Sequence, residues 1–118
     1  MYEIKVIDSF AGAHRLRAYK GKCEDLHGHN WKVELSVSSK TLDSLGMVMD
    51  FKDLKASLKL ALDTLDHKYL NDMPYFKKKN PTSENIARFI HEKISREIKK
   101  KIKISVWETE NSRASFYA

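Results

Sequence analysis

Apolar and polar residues alternate at both ends of the chain and recur at helical spacing in its middle, and this contrast predicts the architecture. Residues 2 to 7 place Tyr2, Ile4 and Val6 on one side and Glu3 and Lys5 on the other, the period-two pattern of a half-buried strand. The strand is expected to run on toward His14, with Gly12 marking a bulge. From His29 to Val37 the alternation is cleaner: Trp31, Val33, Leu35 and Val37 face one way, and Asn30, Lys32, Glu34 and Ser36 the other. A turn around Ser44-Leu45-Gly46 leads to Asp50, a good helix N-cap. Phe51, Leu54, Leu58, Ala61, Leu62 and Leu65 then follow at helical spacing.

Asn71, Asp72, Pro74, Asn80 and Pro81 mark a loop. A second helix is expected from Thr82 or Ser83, with Ile86, Ile90, Ile94 and Ile98 on one stripe. Ile102, Ile104 and Val106 alternate again, and Ala114 to Tyr117 form a short last strand. The order is β-β-α-α-β-β: an α+β domain spanning 1–118, with an antiparallel sheet and two helices on one face. Four strands leave two open sheet edges, which predicts association through them.

The 118 residues suit one domain, and 42% hydrophobic with 32% charged residues is an ordinary globular balance. No apolar run approaches the ~20 residues of a membrane span. The N-terminus lacks the continuous apolar segment of a signal peptide, so a cytoplasmic location is expected. A net charge of +6 favours anionic partners, although the runs Lys77–Lys79 and Lys99–Lys101 read most simply as solvated faces. Those runs carry no interleaved aromatics, so no nucleic-acid partner is expected, and without an apolar span no membrane partner is expected either.

The chemistry concentrates in Cys23-Glu24-Asp25-Leu26-His27-Gly28-His29 and in His14 upstream, in a chain with five histidines and one cysteine. His27 and His29 are two residues apart, so on a strand both imidazoles share the face of Trp31. A neighbouring antiparallel strand carrying His14 could supply a third nitrogen. Three histidines would leave a fourth zinc position open, the mark of a catalytic site. Gly28 between them fits a close approach of substrate or backbone. Cys23 has no intrachain disulfide partner. Its spacing suits equally a fourth ligand in a closed structural site or a thiolate base beside the metal.

Asp66-His67 closes the first helix, either as a last-turn histidine favoured by the helix dipole or as an acid-base pair. Glu108 shares the parity of Ile102, Ile104 and Val106. If the strand extends that far, its carboxylate needs a partner, and a ligand with two N–H donors would serve. Thr82, Ser83 and Glu84 form a helix cap with an acid in the first turn. His91 lies off the isoleucine stripe and should be exposed.

With these residues in view, the chain resembles the 6-pyruvoyl-tetrahydropterin synthase/QueD family. The likeness runs through Phe10 to Leu16, Cys23 to Asn30, Gly46 to Phe51, Leu65 to Asp72, Pro81 to Asn85, and Glu108-Thr109. It implies the tunnelling fold (T-fold), in which subunits join sheets into a trimeric barrel and two barrels stack as a homo-hexamer. It implies a Zn2+ ion on His14, His27 and His29, and a catalytic triad of Cys23, Asp66 and His67. Glu108 would anchor a pterin ring, with Thr109 beside it, and Thr82, Ser83 and Glu84 would line the ring pocket from a neighbouring subunit. The implied substrate is 7,8-dihydroneopterin triphosphate, for whose phosphates Arg15 and Lys22 are candidates.

Three residues separate Cys23 from His27, as in the QueD branch, a lyase that forms 6-carboxy-5,6,7,8-tetrahydropterin with loss of acetaldehyde and triphosphate. That product feeds 7-deazaguanine and queuosine biosynthesis. The same stretch reads Glu24-x-x-His27-Gly28-His29, which resembles a folate-biosynthesis branch where glutamate is the base and 6-hydroxymethyl-7,8-dihydropterin the product. The overlap matches a dual-function subgroup. The competing reading is a zinc-binding module without turnover.

Overall fold

The computed structural model describes residues 1–21 and 24–118. Two long strands, β1 (Tyr2–His14) and β2 (His27–Ser39), form an antiparallel hairpin with unbroken register from Tyr2 opposite Ser39 to His14 opposite His27. β2 therefore begins at His27, two residues before the alternation becomes clean. No bulge interrupts β1 at Gly12, contrary to expectation. Glycine is needed there for another reason. A Cβ at this position would lie 3.1 Å from the Phe10 ring and 3.5 Å from Trp31 Nε1, which donates to the Gly12 carbonyl at 3.2 Å. Phe10 and Trp31 are buried and stacked at 5.9 Å, so neither ring has room to yield. Gly12→Ala is expected to cost about 1–3 kcal/mol through overpacking, read as a lowered midpoint in urea with an unchanged slope.

Asp50 caps helix α1 (Phe51–Asp63) as predicted, its side chain accepting from Lys52 N–H at 2.8 Å. Leu54, Leu58, Ala61 and Leu62 are buried, but Phe51 is 52% exposed and does not join the core. Thr82 caps α2 (Ser83–Ser95), accepting from Asn85 N–H, and the stripe Ile86, Ile90, Ile94 and Ile98 is buried throughout. Both helices pack on the sheet face carrying Val6, Phe10, Trp31, Val33, Leu35, Ile104 and Val106.

Between the helices the chain is more ordered than a loop. Lys68–Tyr69 form β3, parallel to Gly12 and Ala13 of β1, and two short 3-10 turns follow at 70–72 and 74–76. With β4 (Lys101–Thr109) and β5 (Ser112–Tyr117) the sheet has five strands in the order β3-β1-β2-β4-β5. The four long strands are antiparallel as expected, and the parallel fifth was missed because two residues carry no period. β3 pairs with only two residues of β1 and the turn before it caps Ala11, so the outer edge of β1 from Tyr2 to Phe10 and that of β5 stay open among the described residues.

His91 departs from the sequence reading. It is half-buried, edge-on to Phe116 at 4.9 Å, and burial lowers its pKa from the usual histidine value. No helix among the described residues is long and apolar enough to cross a membrane.

Candidate metal centre and the adjoining depression

The β1–β2 register sets His14 directly opposite His27, and alternation along β2 returns His29 to the same face. Ring centroids of the three imidazoles lie 4.6 to 5.2 Å apart, with Trp31 packed edge-on beneath His14 and His29. Glu108, at the far end of β4 on this face, brings Oε1 to 3.3 Å from His29 Nε2 and 3.9 Å from His14 Nε2. One ligand atom from each of His14, His27, His29 and Glu108 falls within 4.8 Å of all the others.

Tautomers decide what this cluster can bind. A carbonyl can only accept, so His14 Nδ1 donates to Pro81 O at 2.7 Å and His27 Nδ1 donates to Asp25 O at 2.9 Å. Each neutral ring is then left with a bare lone pair on Nε2, yet these two atoms stand 3.0 Å apart. Two facing lone pairs repel unless a cation lies between them. His29 Nε2 is buried with no hydrogen-bond partner. Burial, and the neighbouring His14 and His27, hold the His29 pKa below the usual value despite the opposing charge of Glu108. Neutral, inward-facing nitrogens with carbonyl-fixed tautomers are what a first-row divalent metal requires, and zinc fits the donor set.

Cys23 and Lys22 lie outside the described residues. Glu24 is partly buried and tied to the chain that leaves β1: its N–H donates to Leu16 O at 2.9 Å and its Oε1 accepts from Leu16 N–H at 3.1 Å. The same oxygen is 3.8 Å from His27 Nδ1.

Asp66 and His67 do not close α1, as expected from sequence; they lie in the turn beyond it, three and four residues past Asp63. Asp66 Oδ1 accepts from Ala11 N–H at 2.9 Å, and its Oδ2 meets His67 Nδ1 at 3.0 Å. The Ala11 N–H, with His67 adding to it, holds the Asp66 pKa below the usual carboxylate range against a desolvation penalty. His67 adopts φ +57°, a left-handed conformation rare outside glycine, pinned by its own N–H donating to Ala11 O at 2.6 Å. The ring is 81% exposed and borders a depression of about 520 Å3 shared with Gly12, Gly28, His29 and Tyr69. A Cβ on Gly28 would meet nothing nearer than 4.0 Å, so no backbone crowds it; its hydrogen leaves the depression open.

The remaining candidates divide. Ser83 is buried and its hydroxyl donates to Glu108 Oε2 at 3.3 Å, so it touches the site from its own chain, where the resemblance placed it in a neighbour. Thr82 serves as the α2 cap, and Glu84 is exposed in the first turn of that helix. Thr109 is exposed, its hydroxyl accepting from Asn111 N–H in the β4–β5 turn. Arg15 is exposed where the chain leaves β1, its backbone bonded in both directions to the Asn71 amide.

Asn71 and Asn80 were marked only as loop residues. Asn71 pairs with both backbone groups of Arg15, and Asn80 with both of Arg17, mimicking a strand partner for the segment after His14. No signal in the sequence marks them, because the burial of Asn71 and the pairing of both side chains with backbone are invisible in a single sequence.

A T-fold sheet with a three-histidine, one-carboxylate cluster at its rim defines the class: an α+β protein built around a metal-capable site. The family model for 6-pyruvoyl tetrahydropterin synthase matches residues 3–118, and the chain belongs to that family. The chain is 45% identical over 91 residues to the 6-carboxy-5,6,7,8-tetrahydropterin synthase of Synechocystis, covering 73% of this chain and 69% of that protein. It is 38% identical over 101 residues to a putative 6-pyruvoyl tetrahydrobiopterin synthase of Caenorhabditis elegans, covering 75% and 72%. The solved C. elegans 6-pyruvoyl tetrahydropterin synthase superimposes with a TM-score of 0.85 at 29% identity, over 99% of this chain and 95% of that one.

Proposed function

We propose that this protein is a zinc-dependent lyase that converts 7,8-dihydroneopterin triphosphate to 6-carboxy-5,6,7,8-tetrahydropterin, with loss of acetaldehyde and triphosphate, for 7-deazaguanine and queuosine biosynthesis. The observation that carries this reading is the convergence of His14, His27 and His29 with Glu108 on one metal-capable point, with the tautomers of His14 and His27 fixed by carbonyls and His29 also lining the depression that His67 borders. Relatives named for carboxytetrahydropterin formation support the product, and the three-residue gap between Cys23 and His27 supports the branch.

His14, His27 and His29 would hold the zinc, which when bound supplies Lewis-acid polarisation of the substrate side-chain hydroxyls. Glu108 anchors the ring by accepting from its amino and ring N–H donors, which leaves the fourth metal position to substrate. Ser83 steadies that carboxylate by donating to its second oxygen. Cys23 takes or returns a proton at the side-chain carbon next to the ring. His67 relays that proton, with Asp66, ionised at neutral pH, orienting its imidazole through Nδ1. Arg15 and Lys22 are assigned to the triphosphate, and Thr82, Glu84 and Thr109 to the rim of the pocket. The working form is assigned as a homo-hexamer of two trimers, for which the open edges of β1 and β5 offer the pairing surfaces.

A second product is favoured by one observation. Glu24 lies beside His27, with a carboxylate oxygen 3.8 Å from Nδ1, where it can act as base toward 6-hydroxymethyl-7,8-dihydropterin. Products of wild type and Glu24→Ala should be quantified by mass spectrometry with the zinc-loaded protein. Selective loss of the hydroxymethyl product, by about 100-fold or more, is expected for a lost general base. Equal loss of both products would remove Glu24 from that role.

A further inference from the structure

We propose that Glu34 and Trp107, on the sheet face away from the helices, are positioning residues for the Glu108 carboxylate and so set how tightly a pterin ring is held. This rests on the ring-anchoring role given to Glu108 above.

Glu34 is an unusual carboxylate for a strand interior, only 5% exposed on a face that no helix covers. Its partners come from three strands. Trp107 Nε1 on β4 donates to Oε1 at 2.6 Å, and Lys5 Nζ on β1 meets Oε2 at 2.8 Å. Lys32 Nζ lies 4.0 Å from Oε1 and 4.8 Å from the centre of the Trp107 ring. Arg113 on β5 stands 5.5 Å from the same ring. Burial would raise the Glu34 pKa, but the hydrogen bonds from Lys5 and Trp107, with the charges of Lys5 and Lys32, outweigh it and keep the group ionised.

The place of this network in the ladder gives it a role. Lys32 opposite Trp107 is the last pair between β2 and β4, and the pairing of β4 with β5 shifts register between Trp107 and Thr109. Glu108 falls within that irregular step, without a ladder partner on either side to fix its strand. Adjacent residues point to opposite faces, so whatever fixes the Trp107 ring behind the sheet fixes the direction of Glu108 in front of it. The bond from Nε1 to Glu34 is a charge-assisted contact of this kind, and Glu34 is itself held by β1.

The test is equilibrium binding of pterin, which has the ring and no side chain, to the zinc-loaded protein by quenching of pterin fluorescence. Glu108→Gln is expected to weaken binding about 10- to 100-fold, as for loss of hydrogen bonds to a charged group. Trp107→Phe, which keeps the ring and removes the donor, should weaken it about 3- to 10-fold with zinc content unchanged. Glu34→Gln should act in the same direction and reads the same contact if the tryptophan variant does not fold. The double variant Trp107→Phe/Glu108→Gln should bind no more weakly than Glu108→Gln alone, because both changes act through one carboxylate. Wild-type affinity in Trp107→Phe and Glu34→Gln, beside a weakened Glu108→Gln, would overturn the positioning role and leave the ring anchor standing. Additive losses in the double variant would overturn it equally. Wild-type affinity in Glu108→Gln would remove the anchor and the positioning role together.

Discussion

His27→Ala is expected to yield a folded protein that no longer retains zinc and has lost at least about 10^3-fold in turnover, because metal polarisation is worth several kcal/mol at the transition state. His27 is the informative ligand to remove. Its side chain is 36% exposed, whereas that of His14 is 2% exposed, packed on Trp31 and bound to Pro81. Alanine at 14 would open a cavity and confuse metal loss with core damage. Alanine at 27 removes one nitrogen and one bond to Asp25 O at the rim. Bound metal measured on the purified variant, beside its thermal midpoint, separates the two effects. Zinc at a thousandfold excess over Kd should also stabilise the wild-type fold by about 4 kcal/mol, raising its midpoint, and leave the midpoint of His27→Ala almost unmoved. Full zinc occupancy in His27→Ala would remove His27 from the ligand set.

His67→Ala should retain zinc and lose about 10^2- to 10^4-fold in turnover, the usual range for a positioned proton-transfer group. The ring is largely exposed and makes its one described side-chain contact with Asp66, so packing is barely touched. The left-handed backbone at this position gives the ring a purpose: Ala11 holds both the His67 N–H and the Asp66 carboxylate, and turns the imidazole toward the depression that His29 lines. Asp66→Asn tests the same geometry with a different signature. Asparagine can still accept from Ala11 N–H through its oxygen, but its amide nitrogen cannot accept from His67. Turnover should then fall about 10- to 100-fold, because the imidazole loses the acceptor that orients it. A His67→Ala variant within twofold of wild type would end the proton-relay assignment.

Much of this site was legible from parity alone. His27 and His29 share the face of Trp31, and Glu108 shares that of Val106; the β1–β2 register then needed only to set His14 opposite His27. What escaped the sequence depended on contacts with no period. Asp66 and His67 directly follow Leu65, an apolar residue at helical spacing that is buried although it lies outside the helix, so the spacing overruns the true end. β3 has two residues, too few to alternate. Gly12 looked like a bulge because glycine within a strand has two explanations, and only the rings of Phe10 and Trp31 decide between them. Glu34 was assigned to the polar face, correctly, but its burial there depends on Lys5 and Trp107 converging across three strands.

The most direct measurement is product identification by mass spectrometry, using 7,8-dihydroneopterin triphosphate with the zinc-loaded protein and with the same protein after chelation. The expected result is 6-carboxy-5,6,7,8-tetrahydropterin and acetaldehyde from the zinc-loaded protein only, with any hydroxymethyldihydropterin as an accompanying product. Unchanged substrate at full zinc occupancy would contradict the enzymatic assignment, and hydroxymethyldihydropterin alone would move the protein to the folate reaction.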